Sequence, residues 1–331
     1  MAPNAAPDVS GAEPNPFLAP GKARPLVVGH RGVPLLHQEN TLAGFRRAVE
    51  LGIPAVELDV RLTADRRAVC VHDDDLARLT GARARVAALT WDQVARLELR
   101  RELPMGVRGD GGPVIARYER TERIPLLAEV LAEVGGRLAI NVELKLTSPR
   151  WWDTAIGAVA AEEIARAGAV DRVIVTSFDP RKLRAAALAR PGLAVGFAYD
   201  DSMLDFAAPL LDRLPLLATE LSTLDRRPHA NGRRLLGRLV DRGGLGRLLP
   251  VRAVGIEHTL IGPRTIAQLH ARGVAVGTYT LLPVGSTTGK RIDPCGETLE
   301  EVDRLAALGI DWIETDDPEQ VLARIGGAGR P

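Results

Sequence analysis

Two periods alternate along this chain from Arg24 almost to its end. Short apolar runs read as β-strands: PLVVGH (25–30), AVELDV (55–60), LAINVELK (138–145), RVIVTSF (172–178), LAVGFAY (193–199), RAVGIEH (252–258), VAVGTYT (274–280) and DWIET (311–315). Between most of them lie stretches with apolar residues at helical spacing, such as TLAGFRRAVELG (41–52), PLLAEVLAEVGG (125–136), PRTIAQLHARGV (263–274) and TLEEVDRLAALG (298–309). Each stops at or near Gly, as helices do. Eight strands joined by connections long enough for a helix predict a parallel sheet, and eight is the number that closes a (β/α)8 barrel. An open doubly wound sheet is the competing arrangement, but no Gly-rich nucleotide fingerprint follows the first strand. The expected fold class is therefore α/β, a TIM-like (β/α)8 barrel.

One connection breaks this rhythm. Only ADRR (64–67) separates AVELDVRLT from AVCVHD, too short for a crossover, so these runs are expected to form an antiparallel hairpin. Matching apolar faces sets Val60 opposite Val71 and Asp59 opposite His72, so that Glu57, Asp59 and His72 project from one face. A hairpin continuing a barrel strand rises above the C-terminal rim, where barrels carry their chemistry. Two inserts are expected at that rim. The first, near residues 73–123, contains a capping box at TWDQ (90–93) and Gly-rich MGVRGDGG (105–112). The second, near 200–250, ends in the Arg-rich run RRPHANGRRLLGRLVDRGGLGR (226–247), read chiefly as a solvated helix surface. Residues 1–23, rich in Pro, Ala and Asn, read as a disordered lead-in to a single catalytic barrel over 24–331.

Composition narrows the function classes. With 331 residues, 46% hydrophobic and 26% charged, the chain can bury a large core without disulfides or a structural metal. A formal net charge of +1 supplies no field to draw it to nucleic acid or to membranes. Its two cysteines, Cys70 and Cys295, match neither a disulfide framework nor a zinc spacing, and Cys70 reads as a small core residue. No signal-peptide pattern and no bilayer-length apolar run occur, so a cytoplasmic address and no stable membrane insertion are expected.

Candidate chemistry gathers at the strand ends. In INVELK, Ile140, Val142 and Leu144 face the helices, leaving Asn141, Glu143 and Lys145 to point inward. Glu57, Asp59 and Glu143 then bring three carboxylates into one mouth, where repulsion raises their pKa values unless a cation sits among them. Three oxygen donors with water suit one hard divalent ion, Mg2+ or Ca2+. His30 and His72 flank it with imidazoles fit for proton transfer near neutrality. Arg31 and Lys145 add positive charge for an anionic oxygen, the competing reading of Lys145 being a structural partner for Glu143. Asp73 reads as an orienting group rather than a ligand. His258 either touches substrate or makes a structural hydrogen bond, and His37, His229 and His270 read as loop or surface residues.

The combination HRG (30–32), ENT (39–41), ELDV (57–60), VHD (71–73), VELK (142–145) and TDDP (315–318) resembles the glycerophosphodiester phosphodiesterases, from about Leu26 to Ala323. The resemblance implies a TIM-like barrel that hydrolyses glycerophosphodiesters to sn-glycerol 3-phosphate and an alcohol. It implies His30 and His72 as general acid and base, and Glu57, Asp59 and Glu143 as metal ligands. It further implies Arg31 and Lys145 on the phosphate, with Glu39 and Tyr279 as further substrate-binding positions. The chain departs from the family pattern at Gln38, where a proline usually stands, and at YTLL (279–282), usually Trp-Thr-Val-Asn. Tyr279 still offers an aromatic wall. Two rivals are a lysophospholipase D or sphingomyelinase-D-like headgroup hydrolase, using apolar rim residues such as Leu103, Met105 and Val114, and a non-catalytic barrel that holds a metal and an anion. A generic metal-dependent barrel hydrolase leaves the convergence of Arg31 and Lys145 unexplained.

Overall fold

The computed structural model describes residues 15–108, 110–146, 152–200, 251–286 and 294–327. Its strands in chain order are β1 (Leu26–Gly29), β2 (Ala55–Leu62), β3 (Ala68–Cys70), β4 (Glu102–Val107), β5 (Pro113–Arg117), β6 (Ala139–Leu144), β7 (Val173–Ser177), β8 (Ala194–Tyr199), β9 (Ala253–Glu257), β10 (Ala275–Leu281) and β11 (Trp312–Thr315). Strand β1 pairs in parallel with both β2 and β11. Parallel pairing then runs from β2 through β6, β7, β8, β9 and β10 to β11, closing an eight-stranded barrel. The helices are α1 (Leu42–Glu50), α2 (Ala77–Thr80), α3 (Trp91–Val94), α4 (Leu127–Val134), α5 (Ala155–Arg166), α6 (Pro180–Ala189), α7 (Pro263–His270), α8 (Leu299–Ala307) and α9 (Pro318–Gly327). The TIM-like (β/α)8 barrel is as expected. The connection from β8 to β9 runs through residues 201–250, so the predicted second insert and His229 lie outside the described residues, as do residues 1–14.

Strand alternation builds two cores. Val56, Leu58 and Val60 of β2, and Ile140, Val142 and Leu144 of β6, face outward into the layer shared with α1, α4 and α5. Inward-facing Ala55, Ala139, Ala194, Ala253 and Ala275 line the base of the barrel with Val28, Ile174 and Trp312. The small side chains leave room for the Trp312 indole. Gly277 is required beside it, since a Cβ there would lie 1.7 Å from Trp312 Cε2. The lead-in expected to be disordered over 1–23 is ordered from Asn15. Phe17 is fully buried against Trp312, edge to face at 5.7 Å, and plugs the base. Asn15 Nδ2 donates to Val173 O at 2.9 Å and the Gly21 amide to Asp311 Oδ1 at 2.8 Å. Burying one aromatic ring outweighed the Pro-rich composition, at about 2–3 kcal/mol for a side chain of this size.

The β2–β3 hairpin forms, but its register is one residue from that expected: Val60 faces Cys70, Arg61 faces Val69 and Leu62 faces Ala68. Val69 and Val71 do not join the Val60 face. They belong to a separate apolar cluster with Leu76, Leu79, Val94, Leu103, Met105, Val114 and Leu126, which is the core of the first insert. Ala68 and Cys70 take the places beside Val60 and Leu62 in the main core. The insert is thus a small folded excursion from β3 to α4. It holds the capping-box helix α3, whose Thr90 amide donates to Gln93 Oε1 at 2.9 Å, and the β4–β5 hairpin around the Gly-rich loop. It reaches across to the loop after β10, where the Ser286 amide donates to Val107 O at 3.0 Å. No helix of the described residues is long and apolar enough to cross a membrane.

Candidate active site at the barrel mouth

The acidic side chains of the barrel strands stand two or four residues beyond an apolar residue of the barrel base, because inward positions recur every second residue of a strand. Strand β2 runs Ala55, Glu57, Asp59, and β6 runs Ala139, Asn141, Glu143. Strand β11 runs Trp312, Glu314 and then Asp316 just past its end. His30 follows β1 directly, and the tight turn after it uses Gly32 at φ +94°, while Arg31 itself takes φ +56°. Gly29 admits no side chain, since a Cβ would lie 2.2 Å from Gly32 O.

Both imidazoles are braced by an aspartate at Nδ1. His30 Nδ1 lies 2.7 Å from Asp316 Oδ1, and His72 Nδ1 lies 2.9 Å from Asp73 Oδ1. Asp316 is held in turn by the Val284 amide at 2.7 Å. His30 Nε2 stands 3.9 Å from Glu57 Oε2. His72 does not arrive by strand alternation. Pairing stops at Cys70, and the chain bends at His72, whose carbonyl accepts from Arg61 Nε at 2.8 Å. The bend returns the ring to the mouth, so the expected neighbourhood is met by a different route. Burial, with Arg31 and Lys145 nearby, lowers His72 to about 4 against the opposing pull of Asp59 and Asp73.

Glu57, Asp59 and Glu143 each offer one oxygen within 4.8 Å of the others. Asp59 is the most heavily gripped. Asn40 Nδ2 donates to its Oδ2 at 2.8 Å while the Asp59 amide donates to Asn40 Oδ1 at 3.0 Å. Arg31 Nε lies 3.2 Å from Oδ2, and Lys145 Nζ lies 2.9 Å from Oδ1. Burial raises the Asp59 carboxyl, but the Lys145 and Arg31 charges overcome it and hold it well below the usual range. Lys145 also pairs with Glu143 at 2.7 Å. Glu57 is the opposite case. Its Oε2 accepts the Arg31 amide at 3.0 Å, while its buried Oε1 has no hydrogen-bond partner. Burial, then Asp59, Glu314 and Glu143, push its carboxyl well up.

Glu39 was expected to meet substrate. Instead it is buried, with Oε1 taking Arg31 NH1 at 3.0 Å and both oxygens taking Arg78 at 2.8 and 2.9 Å. Both of its oxygens are thus taken up by guanidinium partners, Arg31 and Arg78. Tyr279 donates its hydroxyl to Tyr199 O at 2.9 Å and packs edge-on to Phe178 at 5.9 Å. His258 is buried, with Nδ1 2.9 Å from Glu301 Oε1, and Glu301 is paired with Arg304 at 2.6 Å. His270 is not a plain surface residue, since its Nε2 lies 2.8 Å from buried Asp311. Gln38 donates to Arg120 O at 2.6 Å, tying the β1–α1 loop to the excursion. A proline there offers no such donor.

Several site residues escaped the sequence reading: Asn40, Arg78, Glu314 and Asp316. Asn40 and Asp316 lie inside the motifs ENT and TDDP, which were the available signal. Glu314 lies on an inward position of β11, buried beneath the mouth, where its Oε1 accepts from Asn141 Nδ2 at 2.7 Å and Trp312 Nε1 at 3.2 Å. Burial raises it to about 7 although His30 and Asn141 act to lower it. Arg78 belongs to the excursion and had no signal beyond its nearness to Asp73.

Comparison with known proteins bears on family and fold. Residues 30–320 match the model of the glycerophosphoryl diester phosphodiesterase family. A glycerophosphodiester phosphodiesterase of Caldanaerobacter subterraneus is 31% identical over 184 residues, which are 54% of this chain and 69% of that protein. One from Bacillus altitudinis is 33% identical over 154 residues, or 46% of this chain and 57% of that protein. An Oleispira antarctica phosphodiesterase solved with the product sn-glycerol-3-phosphate superposes with a TM-score of 0.62 at 19% identity, covering 92% of this chain and 97% of that one, a likeness of fold. With a family match running from His30 at the end of the first strand to Gln320 beyond the last, this chain belongs to the glycerophosphoryl diester phosphodiesterases, a family of phosphoric diester hydrolases.

Proposed function

We propose that this chain hydrolyses glycerophosphodiesters to sn-glycerol 3-phosphate and an alcohol, using His30 and His72 as the proton-transferring pair. The observation that carries this reading is two aspartate-braced imidazoles on either side of a cluster of three carboxylates and two cationic side chains. The small-molecule product bound in the Oleispira antarctica relative supports the substrate class.

Glu57, Asp59 and Glu143 would hold one divalent cation, Mg2+ or Ca2+. The donor set fits: it is all oxygen, as hard cations require, and Glu57 Oε1 is a buried oxygen with no partner. When bound, such an ion supplies electrophilic activation of the phosphoryl group and neutralises charge developing there. Arg31 and Lys145, which pair with Asp59, Glu39 and Glu143, would turn their N–H donors to the non-bridging phosphate oxygens, Arg31 through its planar fork and Lys145 as a point charge. Glu39 serves substrate through Arg31, which it orients. Tyr279 and Phe178 wall the side of the mouth beside Glu143. One imidazole takes a proton at Nε2 from the attacking hydroxyl, of water or of the glycerol C2 position. The other gives a proton at Nε2 to the leaving alkoxide. Asp316 and Asp73 keep Nδ1 protonated, fixing the working nitrogen and stabilising the imidazolium when it forms.

A lipid-headgroup specificity has less support. Leu103 and Met105, two of the three apolar residues it would use, are buried in the core of the excursion, and Val114, also largely buried there, only borders the cleft beside Leu35 and Leu282. Incubation of purified protein with glycerophosphocholine, glycerophosphoethanolamine and a lysolipid, with EDTA, Mg2+ or Ca2+, tests the assignment by glycerol 3-phosphate release. The expected result is release from the water-soluble diesters in a divalent metal and none in EDTA. Absence of product from every diester in both metals would defeat it.

A further inference from the structure

We infer that Arg78, supplied by the excursion and not by the barrel, is a positioning residue that aligns His72 and Arg31 together. The inference rests on the proposed role of His72. Arg78 sits on α2 with its side chain 16% exposed, and its fork meets two carboxylates at once. Nε donates to Asp73 Oδ2 at 2.6 Å and NH2 lies 3.1 Å from Asp73 Oδ1. NH1 donates to Glu39 Oε2 at 2.9 Å and NH2 lies 2.8 Å from Glu39 Oε1. Beyond these carboxylates stand His72, on Asp73 Oδ1, and Arg31, on Glu39 Oε1. A continuous chain thus runs Arg31–Glu39–Arg78–Asp73–His72, joining the loop after β1 to the end of the hairpin.

Two physical points make Arg78 more than a surface ion pair. Glu39, His72 and Asp73 offer ligand atoms within 4.8 Å of one another, a spacing that would suit a cation, and the Arg78 guanidinium already supplies the positive charge to both carboxylates. Without it, two carboxylates of like sign face each other in a buried place, and Asp73 is free to turn from the imidazole. A lysine cannot replace it, because a single ammonium lacks the planar set of donors that spans both groups. Arg78 also lies 3.5 Å from Pro104 O of β4, so folding of the excursion sets its place. The site is therefore completed only when the excursion is folded.

The test compares Arg78→Ala and Arg78→Lys with the parent in Mg2+ or Ca2+, using glycerophosphocholine and matched thermal melts. Misplacing a proton-transfer group by an ångström costs on the order of 100-fold, so Arg78→Ala should lower kcat about 100-fold with KM changed less than about threefold. Guanidinium ion at low millimolar concentration should restore part of that rate, and Arg78→Lys should keep no more than about one tenth of the parent kcat. In a His72→Ala background the further loss from Arg78→Ala should shrink, since the two act as one unit. Imidazole 15N shifts of His72 provide a readout independent of turnover: a fixed Nδ1–H tautomer in the parent, and a mixture in the variants. Folded variants with parental kcat and an unchanged His72 tautomer would overturn the inference. A parent inactive on all diesters would instead defeat the functional reading, leaving the tautomer measurement to decide this one.

Discussion

The base and the mouth of this barrel are lined by the same strands, and two residues of strand separate them. At the base, Ala55, Ala139 and Trp312 look inward with Phe17 pressed against the indole. One inward position higher stand Glu57, Asn141 and Glu314, and one higher again Asp59, Glu143 and Asp316. The base is apolar and closed by shape, with small residues ceding space to one large ring. The mouth is held by charge, each acid answered by a named cation or amide. Stability and chemistry are thus stacked along one axis, and substitutions at the two levels should fail in different ways.

The largest effect is expected at the top. His30→Ala or His72→Ala should lower kcat about 100- to 10,000-fold, the range of a general acid or base, with little change in melting temperature. Steady-state kinetics beside calorimetry checks this, and a loss of stability in place of rate would erase the contrast. At the bottom, Phe17→Ala should cost about 3–5 kcal/mol in denaturant unfolding while the folded enzyme keeps its kcat. A rate loss at temperatures where the variant is fully folded would show the levels to be coupled. The intermediate level should give the smallest and most conditional effect. Glu314 is raised to about 7 in the folded chain from an ordinary 4.5. The unfolded chain therefore sheds this proton first, and stability falls as pH rises from about 4.5 through 7. Glu314→Gln keeps an acceptor for Asn141 and Trp312 and removes that penalty. It should stabilise the metal-free protein by up to about 3 kcal/mol at pH 8 and by almost nothing at pH 4, measured by urea unfolding in chelator.

The barrel was legible because its eight strands are apolar runs on a repeating spacing, and all eight form where the runs stand. The three carboxylates were legible for a related reason: a charge at an inward position of a buried strand has few innocent explanations. The hairpin register was not. Face matching assumed a single core, whereas Val69 and Val71 serve the core of the excursion, and His72 reaches the mouth by a bend that alternation cannot describe. Phe17 was hidden by the prolines around it. Arg78 was hidden because its partners, Glu39 and Asp73, are brought together only by the folded excursion. Local pattern carried the scaffold, and the supports that arrive from distant segments required the fold.

The loop between β1 and α1 has a consequence for engineering. Its feet, Arg31 and Asn40, both take left-handed backbone angles, at φ +56° and +58°, and the Asn40 amide closes on Arg31 O at 3.0 Å. Both feet also clasp Asp59, while Leu35 and Leu36 at the crest are 50% and 45% exposed. Such a noose is tied at its knot and again at its crown, where the Leu36 amide closes on Val33 O at 2.9 Å and Pro34 O accepts from the Tyr118 hydroxyl at 2.8 Å. Residues spliced between Leu35 and Leu36 would open the turn at the crown while sparing the knot, whereas a β-branched residue at either foot would loosen the knot where the acid is gripped.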